Sequence, residues 1–221
     1  MRGLARLNGA RVVAEPGPGG VLGKPILGLA GTADGDLLAS VDAAGVYRLH
    51  DGQWQSLGSP FGSNRTQRLR AFGKPGAVRV FATGNGVAEW NSARWEPRAL
   101  PAPLAGREVF DIALQPASDG IAETLWVASF GGGLYRCIGK AACERVAIDG
   151  SGPRTDEIRT LQLQLRAGKP DALWLALQGG GVARLADGGW TRWHAGNSTL
   201  PSDFVSDLAL VEVPGAGLDV W

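Results

Sequence analysis

Residues that carry out chemistry are scarce in this chain. Its 221 residues include two histidines, two cysteines and one methionine. Neither His50 nor His194 stands in a Glu-x-x-His or serine-elbow context, so both read as surface or packing residues. Two cysteines without a histidine nearby give too few ligands for a zinc site, and nothing else in the sequence calls for a metal or cofactor. Charge of one sign is lacking as well. The 22 basic and 21 acidic residues leave a net charge of +1, with no basic run or tail, which removes the electrostatic footprint of nucleic-acid binding. No apolar run approaches the roughly 18 residues of a membrane span. Met1 to Arg6 lacks the apolar stretch of a signal peptide, which taken alone reads as cytoplasmic. Long amphipathic helical periodicity is missing too.

Glycine, in contrast, is abundant: 34 residues, about twice the usual share of roughly 7 %. Many of these glycines belong to a recurring phrase, Gly-Leu/Val-x-Arg-Leu. It reads Gly45-Val46-Tyr47-Arg48-Leu49, Gly133-Leu134-Tyr135-Arg136-Cys137 and Gly181-Val182-Ala183-Arg184-Leu185. Weaker copies are Gly86-Val87-Ala88-Glu89-Trp90 and, at the start, Gly3-Leu4-Ala5-Arg6-Leu7. The leading glycines are spaced by 42, 41, 47 and 48 residues. A period of about 40–50 residues built from short strands is the mark of a β-propeller.

The third unit shows the strands best. Val109–Gln115 alternates apolar and polar residues, and Leu125–Ser129 is dense in residues that fill a pleated sheet. Gly131-Gly132-Gly133 suits a tight turn with positive φ, Leu134–Cys137 follows as a third strand, and Arg145–Ile148 as a fourth. Four antiparallel strands make one blade. In phase with these, first strands are expected at Ile26–Ala30, Arg68–Phe72, Ile158–Leu165 and Val205–Val213. Second strands are expected at Leu37–Val41, Val78–Thr83, Leu173–Leu177 and Leu218–Trp221. No glycine here forms a phosphate loop, because Gly179-Gly180-Gly181 leads into a strand and not a helix. Six of the eight tryptophans fall on two repeated positions: Trp54, Trp95 and Trp190 in the fourth strand, and Trp126, Trp174 and Trp221 in the second. Such rings are expected to fill the gaps between twisted blades. The fold class is therefore all-β: a β-propeller of four-stranded antiparallel blades, with four full repeats and two complementary half-repeats, residues 1–221 forming one propeller domain or a piece of one.

The halves arise because Trp221 lies in the second-strand phase, while Gly3 opens a third strand. Either they pair to close a five-bladed ring, or the chain is an arc of a larger propeller. The abrupt stop at Trp221 favours a piece of a longer protein.

The units resemble the two-component regulator propeller repeat. Leu200-Pro201-Ser202-Asp203-Phe204-Val205 matches its entry loop, Leu173-Trp174-Leu175-Ala176 with Gly179-Gly180-Gly181-Val182 its middle, and Arg184-Leu185-Ala186-Asp187-Gly188-Gly189-Trp190 its end. The likeness covers nearly the whole chain and is weakest around Val80–Gly86. It implies a non-catalytic sensor or binding propeller, the periplasmic input half of a bacterial signalling receptor whose output would be a kinase, a cyclase or a DNA-binding domain. Two other readings stand beside it. An enzyme on a similar propeller, such as a lyase, needs histidine and acidic groups together with a divalent metal, which two scattered histidines argue against. A protein–protein platform needs neither.

The loops that enter each first strand crowd one face of a propeller, and here they are polar. They carry Arg65 and Gln67, Arg107, Arg154 and Asp156, and Asp203. Converging arginines and aspartates suit a polar or anionic ligand: a small molecule, a glycan or a peptide. Cys137 and Cys143 flank a five-residue loop between the third and fourth strands, a spacing compatible with a disulfide or with two buried thiols. Ala142 takes the fourth-strand tryptophan position in this unit, so a staple would stand where other units have a ring.

Overall fold

The computed structural model describes residues 4–19, 24–62, 65–102, 104–117, 122–139, 143–148, 156–166, 169–213 and 217–221. Gly3 and Ala142 lie outside the described residues. Among these residues every regular element is a β-strand, and no helix is long and apolar enough to cross a membrane. The chain divides into two compact units, Met1–Leu100 and Pro101–Trp221.

The first unit holds a two-stranded antiparallel pair, β1 (Leu4–Asn8) and β2 (Arg11–Glu15). Two four-stranded meanders follow. One runs through β3 (Ile26–Gly31), β4 (Leu37–Val41), β5 (Gly45–His50) and β6 (Gln53–Gly58), the other through β7 (Thr66–Lys74), β8 (Ala77–Gly84), β9 (Gly86–Trp90) and β10 (Trp95–Pro97). The second unit has the same plan in reverse. Its meanders are β11 (Val109–Gln115), β12 (Thr124–Ser129), β13 (Gly133–Ile138) and β14 (Cys143–Val146), then β15 (Ile158–Arg166), β16 (Lys169–Leu177), β17 (Gly181–Ala186) and β18 (Gly189–Trp193). A pair, β19 (Leu210–Val213) with β20 (Gly217–Val220), completes it. These sheets are all-β propeller blades of the expected period.

Side chains from facing sheets make the core of each unit. In the first, Leu38, Val46 and Leu57 meet Leu69, Val80 and Ala82. In the second, Trp126, Ala128 and Leu134 meet Ile158, Leu161 and Leu175. The fourth-strand tryptophans lean onto the preceding sheet or loop: Trp95 Nε1 donates to Leu57 O at 2.9 Å, Trp54 Nε1 to Pro16 O at 2.8 Å, and Trp190 packs against the same core cluster as Val146 and Ile148. A buried carboxylate adds a polar clamp in the second unit. Asp111, fully buried, accepts Thr160 Oγ1 at 2.7 Å and Leu161 N at 2.8 Å from the next sheet. Such charge-assisted bonds hold sheets in a defined register where apolar packing alone would let them slide.

Three expectations need correction. The last first strand was expected over Val205–Val213, but β19 begins only at Leu210. Upstream backbone donors are already engaged, Val205 N by Leu177 O and Leu208 N by the Asp207 carboxylate, a local bond that competes with a ladder. Trp221 was expected to pack like Trp126 and Trp174, which are 6 % and 8 % exposed, yet it is 76 % exposed. Its ring lines an open cavity beside Trp174 and Trp193 and is not sealed between sheets. The third unit's fourth strand also starts earlier than expected, because Cys143 pairs in register with Cys137.

The repeated glycine has a steric reason. Gly45, Gly86, Gly133 and Gly181 all have positive φ, from 77° to 129°. At Gly181 a Cβ would lie 2.0 Å from Trp193 O, and at Gly45 2.5 Å from Gly58 O, because the end of the fourth strand crosses the head of the third. At Gly86 the space is open, with the nearest atom 3.9 Å away. Gly181→Ala should therefore cost about 2–5 kcal/mol of stability. Gly86→Ala should cost only about 1–2 kcal/mol, from φ alone. Urea unfolding of the two variants measures the difference, and equal losses would show that close approach is not what selects glycine.

Candidate functional site

Each full first strand opens with a register shift at the same place. The residues skipped in the ladder are Leu27, Gln67, Phe110 and Arg159. A bulge bends the strand and re-aims the extra side chain. In the second unit it brings Phe110 and Arg159 to the end of the sheets where the entry loops and the second-to-third-strand turns lie.

There the Arg159 guanidinium carbon lies 4.6 Å from the Phe110 ring centroid and 5.6 Å from that of Phe130. The two rings meet edge to face at 5.4 Å. Arg159 Nε donates to Gln178 Oε1. Phe130 follows β12 and bridges to Glu157, and Gln178 follows β16 and bridges to Phe204, so each sheet's turn is tied to the loop entering the next strand. Phe130 and Phe204 are 42 % and 72 % exposed.

The turns beneath are firmly held. Arg145 Nε donates to Gly132 O at 3.2 Å, and Arg192 Nη2 to Gly180 O at 3.1 Å. Burial lowers the Arg192 pKa from its ordinary value, with the Asp203 charge acting the other way. The result is a guanidinium flanked by the half-buried ring of Phe110 and the exposed ring of Phe130, on a stiff support. Such a group can stack a flat or sugar-like ligand and offer N–H donors to its oxygens.

The sequence candidates distribute as follows. Arg107 is exposed, and its Cδ lies beside Gly132. Asp156 reaches the same turn through its backbone, with Gly133 N donating to Asp156 O at 3.2 Å. Asp203 sits at the next turn, where its carbonyl accepts Gly179 N and Gly181 N, and its carboxylate accepts Ala195 N at 2.6 Å. Arg65 and Gln67 belong to the first unit, where Arg65 Nε lies 3.8 Å from Asp42 Oδ1. Arg154 lies outside the described residues. Arg107, Asp156 and Asp203 thus share the entry-loop end of the second unit. Phe110, Phe130 and Arg159 were missed, although Arg159 and Phe110 occupy the same bulge position as Gln67.

Cys137 and Cys143 form a cross-strand pair between β13 and β14, with Cα atoms 4.0 Å apart and sulfurs bonded. His194 is held within its own turn, its Nδ1 accepting Gly196 N at 3.1 Å. His50 Nδ1 lies 2.6 Å from Asp36 Oδ1. Among the described residues, no three His, Cys, Asp or Glu side chains converge to hold a metal ion.

No family model matches the chain, and no curated protein matches it. Solved structures do share its fold. PorZ of Porphyromonas gingivalis, described as an essential bacterial surface component of the type-IX secretion system, superposes with a TM-score of 0.65 and 14 % identity, over 98 % of this chain and 35 % of that one. The extracellular domain of one putative hybrid two-component system of B. thetaiotaomicron gives a TM-score of 0.54 at 14 % identity, over 85 % of this chain and 26 % of its own. That of a second gives 0.53 at 13 %, over 98 % and 36 %. The chain thus spans between about a quarter and just over a third of these three structures. Its structural neighbours include extracellular domains of the receptor class that the repeat phrase resembles.

Two predictions follow from this geometry. Thiol titration in denaturant without reductant should find no reactive thiol, and Cys137→Ser with Cys143→Ser should cost about 2 kcal/mol, the closure entropy of so short a loop. Two reactive thiols would contradict the bond. The second prediction concerns His50, whose pKa is raised above 6.5 by the hydrogen bond to Asp36 and then by the Asp51 charge. Because the folded value is the higher one, the pair's stabilisation is complete below the unfolded pKa and fades as pH rises through the folded one. An NMR titration of His50 should give a midpoint above 6.5 that falls in Asp36→Asn. A midpoint that stays put would show that the contact is absent in solution.

Proposed function

We propose that this chain is a non-catalytic binding propeller, the extracytoplasmic input region of a bacterial signal-transduction receptor. Its ligand is a polar or anionic molecule, a glycan or an acidic peptide, taken at the entry-loop end of the second unit. The observation that carries this reading is the Phe110–Phe130–Arg159 cluster, a partly exposed cation–π arrangement on rigid turns with Arg107 and Asp203 at the same end. The fold shared with extracellular domains of two-component systems supports a receptor setting. It does so by analogy, since one fold hosts many functions. The candidate set is Arg65, Gln67, Arg107, Arg154, Asp156 and Asp203, extended here by Phe110, Phe130 and Arg159.

A protein–protein platform is the second reading, favoured by the likeness to a secretion-system surface component and by exposed Phe204. A thermal-shift screen of acidic oligosaccharides and acidic peptides separates the two. On the sensor reading at least one compound raises the melting temperature by several degrees, and Arg159→Ala weakens its binding tenfold or more, the loss expected of a charge-assisted contact. No shift with any compound, or one that Arg159→Ala leaves intact, would reject this site.

A further inference from the structure

One cross-strand pair recurs in the sheets, and its exception leaves a hole. In β12–β13 the pair is Trp126 opposite Arg136, and in β16–β17 Trp174 opposite Arg184. The guanidinium lies over the indole in both, at 6.0 and 5.5 Å. Each indole N–H points to a first-strand glutamine two residues past its register partner: Trp126 Nε1 to Gln115 Oε1 at 3.4 Å, and Trp174 Nε1 to Gln164 Oε1 at 3.0 Å. In β8–β9 the indole comes from the third strand, Val80 opposite Trp90. The first full sheet keeps the arginine and lacks an indole at this position: its pair is Leu38 opposite Arg48. Thr32 stands where the glutamine would be, two residues past Ala30, the partner of Leu38.

The missing ring leaves a cavity of about 310 Å³ within the first unit, lined by Thr32, Asp36, Leu38, Arg48, Val78 and Trp90 among others. That volume is at the lower end of the ~300–1,000 Å³ typical of small-molecule sites. It opens at the end of the sheets opposite the entry loops, among the β3–β4, β7–β8 and β9–β10 turns, and so is a different site from the one proposed above. Its groups are held in place. Arg48 Nη2 donates to Gln55 Oε1 at 3.0 Å, Asp36 is fixed by His50, and Asp34 Oδ1 accepts Gly76 N at 2.7 Å. Arg48 Nε is buried and has no hydrogen-bond acceptor among the described residues, the nearest carboxylate oxygen being Asp36 Oδ2 at 3.9 Å.

These features select a ligand class. A guanidinium with no ring beneath it attracts a π face, and the wall of Trp90 and Val78 suits a flat apolar body. The Asp34 and Asp36 carboxylates repel an anion, and with Thr32 they accept from a donor at the ring's edge, as the glutamines do for Trp126 and Trp174.

We propose that this cavity binds a planar aromatic ring bearing an N–H or O–H donor, an indole or a phenol, in the place of the absent tryptophan. The ring lies under Arg48 with its donor toward Thr32 and Asp36. Its source is either a free small molecule or an aromatic side chain of a peptide. Calorimetric titration of the folded protein with indole and, separately, with the peptide Gly-Trp-Gly tests this. Saturable binding of indole with a Kd on the order of 1 mM or tighter is expected for so small a ligand. Binding of indole alone assigns the free molecule, and binding of both admits the side chain.

Leu38→Trp should rebuild the ring–guanidinium pair, raise the melting temperature by a few degrees and abolish indole binding. Arg48→Gln, a near-isosteric change at a half-buried side chain, should weaken binding at least fivefold, and provides the test should Leu38→Trp not fold. The Trp90 indole N–H resonance should shift as indole is added. Failure of indole to bind, or indole affinity unchanged in folded Leu38→Trp or in Arg48→Gln, would overturn the proposal.

Discussion

Everything in these sheets turns on one backbone constraint, the left-handed glycine at the head of each third strand. It lets the chain reverse within a few residues and, at Gly45 and Gly181, lets the end of the fourth strand pass almost in contact. Once that crossing is set, the register of the inner three strands follows, and with it the faces that the tryptophans and leucines present to the next sheet. Arg145 and Arg192, from the fourth strands, donate to the carbonyls of Gly132 and Gly180 and stiffen the turns beside the candidate site.

Function is read from the places where this regular plan is broken. The first break is the bulge at the start of each first strand, which leaves one side chain out of the ladder and frees it for other contacts. In Phe110 and Arg159 it yields a cation–π cluster at the surface, and in Gln67 a polar group. The second break is a substitution. Leu38 replaces an indole, and the neighbouring arginine and carboxylates remain as if a ring were still there. Both rest on the same rigid ladders, which hold a cavity open that a looser core would collapse around.

Much of the fold was legible because its signals are local. The period of the glycine phrase, the Leu125–Ser129 and Leu37–Val41 strands and the positive φ at the turns are all written in neighbouring residues. The site was legible only in part. That Arg107, Asp156 and Asp203 gather at one end was legible because loops advertise polarity, but Asp156 meets the turn there through its backbone carbonyl, which side-chain identity does not report. Arg159 and Phe130 were hidden because their pairing joins residues of two sheets, and nothing in either segment announces the other. Val205–Val213 alternates like a strand, yet its first residues form no ladder because Leu177 O and the Asp207 carboxylate claim their donors.

The linear order of residues was enough to establish the all-β repeat, the four strands of each blade and the shortage of groups for metal or acid–base chemistry. These depend on short-range sterics and composition, which a chain carries wherever it is folded. The arrangement in three dimensions decided which side chains meet: the guanidinium among the phenylalanines, the carboxylate of Asp111 on Thr160 and Leu161, and the space left at Leu38. Those outcomes depend on the register and stacking of separate sheets, and a one-residue change in either would send the same side chains to the opposite face.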